Sequence, residues 1–319
     1  MTKVRKLINE NVAFVGLILL ILLGVCVQRT FIYPENLTNL VRSASITGFL
    51  AIGMTFVILC GSIDLSVASV FAMGGYWMLY FAERSLVLAF LVPIVSGLIV
   101  GLLNGILINK LSIPPFIGTL ATQLLVRGFV QLLTNEQPFK PSTIPSTVLW
   151  LSRGNILGGF PAPFLLFIIA ACAMAFVLKR KFIGRSMYIV GGNSEAATMM
   201  GVNVFRTMTI AHVMCGVFAA LAGMLYVSRV GVASPIAGTG YEMYAIAAVV
   251  IGGASMNGGI GKMSGSFIGA LIMASFSNIF KMQTVIGAVW EDVAVGIVLL
   301  VVILLQAVIA MKGTAKSNK

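Results

Sequence analysis

The sequence predicts an all-α polytopic membrane protein with about ten transmembrane helices and both termini cytoplasmic. Three observations carry that prediction. The 319 residues are 59% hydrophobic and 9% charged, against about 25% charged in soluble domains. Apolar stretches of spanning length recur along the whole chain, as helices that must satisfy their own backbone in lipid require. Lysine and arginine fall unevenly between those stretches, and cytoplasmic loops carry the excess of such charge. The short alternating segments of a β-barrel are not seen.

The spans read as approximately 11–27, 44–60, 65–81, 86–106, 115–133, 162–178, 207–227, 243–259, 264–280 and 291–311. The first follows a basic start but is long, and no small-residue cleavage pattern follows it, so it is expected to remain as an uncleaved span. The eighth has a glycine-rich second half. With the N-terminus inside, the inner connections hold 13 of the 21 basic residues and the outer ones 7, with Arg127 inside a span. Nine of the ten Trp and Tyr residues fall on the outer side, and only Tyr188 on the inner. A plain interfacial belt would populate both faces.

No segment between spans is long enough for a soluble domain, so residues 1–319 form a single transmembrane domain with no room for a catalytic one. Residues 134–161 form a long outer loop and residues 179–206 the largest inner loop. The net charge of +12 is absorbed by topology. The aromatic residues are not interleaved with basic clusters, so no nucleic-acid partner is expected. The four cysteines form no CxxC and the chain has one histidine, so neither a metal site nor a disulfide is expected.

Within the inner loop, GGNSEAATMMG predicts a short helix over 194–200. Asn193 is its N-cap, Glu195 complements the dipole in the first turn, and Gly201 is the left-handed stop. So short a helix needs a groove, on another protein or on the inner ends of this chain.

The stretch GSIDLSVAS (61–69) places a glycine, a carboxylate and three serines between two apolar runs. Gly61 permits a bend, and Asp64 stands where an N-cap would, able to accept from the N–H of Ser66 or Val67 before a helix beginning at Leu65. Asp64 also qualifies as the lining of a polar path, since carboxylates at membrane depth are costly. Ser66 shares that position. Thr119, Gln123 and Arg127 are spaced by four and stack on one face of the fifth span. Arg127 can alternatively snorkel outward. Asn104 and Glu242 are further path candidates, although Thr239-x-x-Glu242 also reads as a capping box. His212, in an apolar run, is expected to be a hydrogen-bonded packing residue.

GGIGKMSG (258–265) imitates a phosphate loop, but Met256 and Met263 occupy positions that need Gly and Ser or Thr, so no ATP site is expected. AIGMTFVI (51–58) and AIAAVVIG (245–252) each lead into a polar break, a weak internal echo.

Three stretches, GSIDLSVASVFAMGGY (61–76), GRSMYIVGGNSEAATMMGV (184–202) and YEMYAIAAVVIGGASMNGGIGK (241–262), resemble signature segments of bacterial ABC sugar-importer permeases of the ribose type. The resemblance covers essentially the whole chain. Related branched-chain amino-acid permeases carry a first stretch closer to GxINLAHG; Asp64, Leu65 and Ser66 lean to the sugar branch, while Ala68 stands where many members have glycine. The resemblance implies a multi-pass protein of the bacterial cytoplasmic membrane that imports a monosaccharide by alternating access. A second permease chain, identical or similar, cytoplasmic ATP-binding subunits, and a periplasmic or lipid-anchored sugar-binding protein would be its partners, with membrane lipid around it. It implies no cofactor and no enzymatic activity of its own. The 194–200 helix would be the element coupled to the ATPase, with Gly184, Arg185, Gly191, Gly192, Asn193, Glu195, Ala196, Ala197 and Gly201 as its residues. A nucleoside, a furanose signal molecule or an inositol would suit the same architecture. An ion-coupled secondary transporter using Asp64, Arg127, Glu242 and His212 as a relay is the alternative of a different class.

Overall fold

The computed structural model describes residues 12–283, 290–301 and 304. Twelve α-helices are delimited among them: α1 (Val12–Val27), α2 (Pro34–Leu59), α3 (Val67–Ala82), α4 (Leu86–Asn109), α5 (Pro115–Thr134), α6 (Ser146–Arg153), α7 (Ala162–Arg180), α8 (Phe182–Gly192), α9 (Ser194–Met199), α10 (Val204–Val230), α11 (Tyr241–Ile251) and α12 (Met263–Met282). Six of these, α2, α4, α5, α7, α10 and α12, are long and apolar enough to cross a membrane, and α1, α3 and α11 are shorter apolar helices. Nine of the expected spans thus appear as apolar helices among the described residues. The tenth expected span, 291–311, lies mostly outside them, with 290–301 helical.

Two boundaries move for physical reasons. The second span starts ten residues earlier than hydropathy suggests, because Pro34 opens α2 at N1, where its missing N–H costs nothing. The eighth stops at Ile251, where Gly252 and Gly253 end the helix, Gly253 with φ +92°.

α2 and α10 form the centre, with most of their length buried, whereas only 28% of the apolar windows of α4, α5 and α7 is buried. The exposed side chains there are large and apolar, among them Leu124, Leu125, Leu132 and Ile169, as a lipid-facing surface requires. α10 packs closely on α4 because Gly97, Gly101 and Gly105 recur every fourth residue. A Cβ at any of them would overlap α10 at Gly216, at His212–Val213 or at Thr209. Small residues allow such approach between membrane helices, where dispersion replaces the hydrophobic drive.

The outer loop 134–161 is ordered by short elements. It contains α6 and a two-residue antiparallel pairing of β1 (Asn155–Ile156) with β2 (Phe160–Pro161). Arg42 donates to the Arg153 carbonyl and to Asn155 Oδ1, both at 2.8 Å, tying it to α2. The backbone pairs of Phe139 and Ala233 bind it to the 231–240 segment.

Candidate functional site

The break between α2 and α3 contains the residues that sequence singled out. α2 ends at Leu59, and Gly61 takes φ +73°. Asp64 Oδ1 then accepts from the Ser66 N–H at 2.9 Å and from the Ser66 hydroxyl at 2.6 Å. This corrects the N-cap reading. α3 begins at Val67, and its cap position is Ser66 with a helical backbone and no side-chain cap. Asp64 instead closes an Asx-turn, the two-residue pattern that aspartate favours.

Three other helices converge on that turn. Asn104 of α4 donates its amide to Asp64 Oδ1 at 3.2 Å, to Oδ2 at 3.3 Å and to Ser66 Oγ at 2.9 Å. His212 of α10 places Nδ1 at 3.3 Å from Asp64 Oδ2 and Nε2 at 3.0 Å from Ser62 Oγ. Thr119 of α5 accepts from the Leu65 N–H at 3.1 Å. Asp64, Asn104, Thr119 and His212 are 0% exposed and Ser66 is 1%. These residues therefore form a sealed polar bracket, with their hydrogen-bonding capacity directed at one another rather than at an open channel. Oδ1 of Asn104 alone among their atoms is buried without a partner.

His212 and Ser62 belong to this bracket although they were not among the path candidates. The signal was present: a histidine in an apolar run needs a buried partner, and Asp64 is one of the few carboxylates at membrane depth.

The upper part of the stripe separates from the bracket. Arg127 donates to the carbonyls of Pro235 at 2.6 Å, Ala237 at 2.8 Å and Ala68 at 3.0 Å. It therefore clamps the 231–240 segment to α3 rather than snorkelling. Gln123 is half-buried between Thr119 and Arg127 along α5. Glu242 does not form a capping box: the cap of α11 is Gly240, and the Thr239 hydroxyl donates to the Ile236 carbonyl at 2.7 Å. The Glu242 Oε2 atom is buried without a partner, within electrostatic reach of Arg127.

The inner loop folds as two helices, α8 and α9, where sequence anticipated one. α9 matches the expected helix. Asn193 accepts from the Ala196 N–H at 2.9 Å, Glu195 lies in the first turn, and Gly201 takes φ +79°. Ala197 is buried against Val190 and Val202, so one face of α9 lies on this chain. The other presents Met199 and Met200, 90% and 63% exposed. Gly184 approaches the backbone of Val177 and Leu178 so closely that any side chain would overlap it. Arg185, Gly192 and Glu195 are exposed.

The three signature stretches meet at one point. A Cβ on Gly191 would overlap the carbonyl oxygen of Leu59, and one on Gly258 would lie 2.7 Å from both Gly191 O and Gly61 N. The Gly259 N–H donates to Leu59 O at 2.9 Å. The end of α8, the α2–α3 break and the α11–α12 break are thus packed backbone to backbone. A pocket of about 470 Å³ opens beside this junction, lined by Cys60, Gly61, Gly191, Asn193, Glu195 and Asn257 among others.

A lipid-facing shell of helices around two centrally buried ones, both bordered by breaks with polar or glycine-rich linkers, defines a multi-pass α-helical membrane transport protein. Residues 36–303 match the family model described as "Branched-chain amino acid transport system / permease component". The chain belongs to that permease family. It is 34% identical over 305 residues to the ribose import permease protein RbsC of Haemophilus influenzae, covering 95% of this chain and 94% of that protein. It is 36% identical over 295 residues to RbsC of Bacillus subtilis, covering 92% and 91%. Against the xylose transport system permease protein XylH of H. influenzae it is 33% identical over 341 residues, covering 88% and 91%. No solved structure matches significantly.

Proposed function

We propose that this chain is the permease subunit of an ATP-binding-cassette importer that carries a monosaccharide into the cytoplasm by alternating access. The observation that carries the reading is the glycine junction. It joins the inner helix α8, which runs on through Asn193 into α9, to both helix breaks without intervening side chains, so displacement of α9 reaches the spans through α8. Backbone-to-backbone packing has little slack, and packed interfaces switch between discrete arrangements rather than deform continuously. The names of the relatives, ribose and xylose permeases, support a pentose or similar sugar as cargo.

In this mechanism a cytoplasmic ATPase subunit engages the exposed face of α9 around Asn193, Glu195, Ala196, Met199 and Met200. Closure of the ATPase pair pushes α9, and the junction moves the ends of α2 and α12. A sugar-binding protein loads the outer mouth, and a second permease chain completes the pathway. The bracket at Asp64 holds the first break in shape during the transition, so Asp64, Ser66, Asn104 and Thr119 act as positioning residues bordering the path. Gln123, Arg127 and Glu242 form its outer continuation.

The test is uptake and ATP hydrolysis in proteoliposomes containing the full complex. Ala197→Pro, which breaks α9, is expected to leave the protein in the membrane while ATP hydrolysis no longer drives uptake. Unchanged coupling would sink the role given to α9. Uptake that proceeds without an ATPase and collapses with the proton gradient would replace the whole reading by the ion-coupled one, for which the buried Asp64–His212 contact is the favouring observation. A ligand screen on the cognate binding protein separates a sugar from a nucleoside, furanose signal molecule or inositol.

A further inference from the structure

At the inner ends of α7, α8 and α12, a second pocket of about 560 Å³ is lined by Ala175, Leu178, Lys179, Arg185, Tyr188, Lys262, Met263 and Ser264. Three of its side chains are cations, contributed by three different elements, and all three are exposed. The ion pairs formed among the described residues are His212–Asp64 and Lys281–Glu291, so none of the three cations is neutralised by a carboxylate within salt-bridge distance there. Like charges gathered in one concavity repel one another and gain from an anion.

Other features favour an anion of lipid origin. α12 starts inside the pocket, with Lys262 as its cap and no side-chain cap bond, so the positive end of a 20-residue helix adds to the three charges. Tyr188 donates to the Gly261 carbonyl at 3.0 Å and holds the segment carrying Lys262 against α8. Burial pushes its phenol pKa up, so it remains a neutral donor. The floor is apolar, with Leu178 and Met263 both 3% exposed. The neighbouring surface of α7 and α8 presents Phe176 and Phe182, 56% and 67% exposed. The pocket therefore pairs a cationic rim with an apolar base beside a surface suited to acyl chains, which is the arrangement that holds anionic headgroups.

We propose that this pocket binds the phosphate of an anionic phospholipid headgroup in the cytoplasmic leaflet, contacted by Lys179, Arg185 and Lys262. The inference rests on the cytoplasmic placement of the 179–206 segment and on no other part of the transport reading. A lipid seated there would bridge α7, α8 and α12, and so brace the inner loop.

The test is native mass spectrometry of the purified full-length chain with added phosphatidylglycerol, phosphatidylethanolamine or inorganic phosphate. It requires no ATPase or sugar, so its failure leaves the transport reading intact. Wild-type protein is expected to retain phosphatidylglycerol over phosphatidylethanolamine. The double variant K179Q/K262Q is expected to lose that retention by roughly thirtyfold, given about 1 kcal/mol from each basic residue at a lipid surface. K179R/K262R is expected to keep it, and equal elution and helicity of all three proteins checks folding. Equal retention by wild type and K179Q/K262Q overturns the proposal. Binding of inorganic phosphate without preference for phosphatidylglycerol assigns the pocket to a free anion and overturns the lipid assignment. Loss of bound phosphatidylglycerol when the ATPase subunit is added assigns the cations to the protein interface and overturns it as well.

Discussion

The chain breaks two of its buried helices, and it does so by different physics. Between α2 and α3 the freed backbone is met by side chains: Asp64 takes the Ser66 N–H, Thr119 takes the Leu65 N–H, and Asn104 and His212 hold Asp64 from two further helices. Between α11 and α12 the solution is mainly backbone to backbone, helped by the Tyr188 hydroxyl on Gly261 O and by Ser255 Oγ accepting from the Asn257 N–H. Ser255 donates its N–H to Ile260 O at 2.9 Å, and Ala254 donates its own to Val249 O at 3.2 Å. Gly253, Gly258, Gly259 and Gly261 adopt positive φ. The two breaks touch through Gly259 N–H and Leu59 O, and the helices around them are joined by Thr55 Oγ1 donating to Ser266 Oγ at 2.7 Å. The first break is fixed by a network whose members come from four elements. The second depends on conformations that only glycine adopts at low cost. A side-chain network resists deformation until one member is lost, whereas a glycine turn has alternative backbone conformations open to it once its few backbone hydrogen bonds are exchanged. The bracket thus suits the role of a fixed point and the glycine turn that of the moving part.

Four substitutions, two of them with a paired control, probe that contrast. The largest effect is expected for Asp64→Leu, which leaves the Ser66 N–H, the Ser66 hydroxyl and His212 Nδ1 buried without their acceptor. At about 1–3 kcal/mol for each unsatisfied group, the loss is roughly 3 kcal/mol or more, read as a sharp fall in the melting temperature in detergent. Asp64→Asn keeps an acceptor for Ser66 and is expected to lose far less stability. If both variants melt alike, the network is not what holds the break.

Next comes Gly191→Val at the junction. Its side chain would meet the carbonyl of Leu59, so α8 must separate from both breaks. The expected outcome is a folded protein in which ATP hydrolysis and uptake are uncoupled. Gly192→Ala is the paired control: nothing lies within 4 Å of its Cβ position, so both activities should stay within about twofold of wild type, as for surface changes generally. Equal behaviour of the two variants would remove the junction from the mechanism.

Thr119→Val is expected to cost about 1–2 kcal/mol by orphaning the Leu65 N–H, measured by thermal unfolding, with the Asp64 contacts retained. The smallest effect belongs to Gly253→Ala. Its φ of +92° disfavours any side chain, but the space around it is open. The expected loss is about 1 kcal/mol, accompanied by slower uptake if the second break is the one that moves. Slower uptake in Thr119→Val but not in Gly253→Ala would reverse the roles assigned to the two breaks.

Much of this was legible in the residues. Hydropathy located the apolar helices, and Asn193, Glu195 and Gly201 marked the inner helix to within one residue, because caps and left-handed stops act over a few neighbouring peptide units. Gly61 and Asp64 declared a break for the same reason. The details that failed were those set by distant partners. The Thr239–Glu242 pattern is a valid capping box in isolation, yet α11 starts from Gly240 and the Thr239 hydroxyl turns to Ile236. α8 was missed because FIGRSMYIVGG (182–192) reads as loop beside its basic neighbours, whereas packing buries Met187 and Val190 and stabilises the helix.

The sequence by itself determined that the chain lives in a membrane, how it is divided into helices and where those helices are interrupted. Each follows from local hydrophobicity, charge and backbone preference. Only the tertiary structure decided that Asp64, Asn104, Thr119 and His212 meet, that Arg127 serves as a clamp on three carbonyls, and that Gly61, Gly191 and Gly258 close one junction. Those pairings span up to roughly two hundred residues of chain, and no local preference encodes them. They arise because a polar group or a bare backbone buried in an apolar bundle must find its complement on another helix.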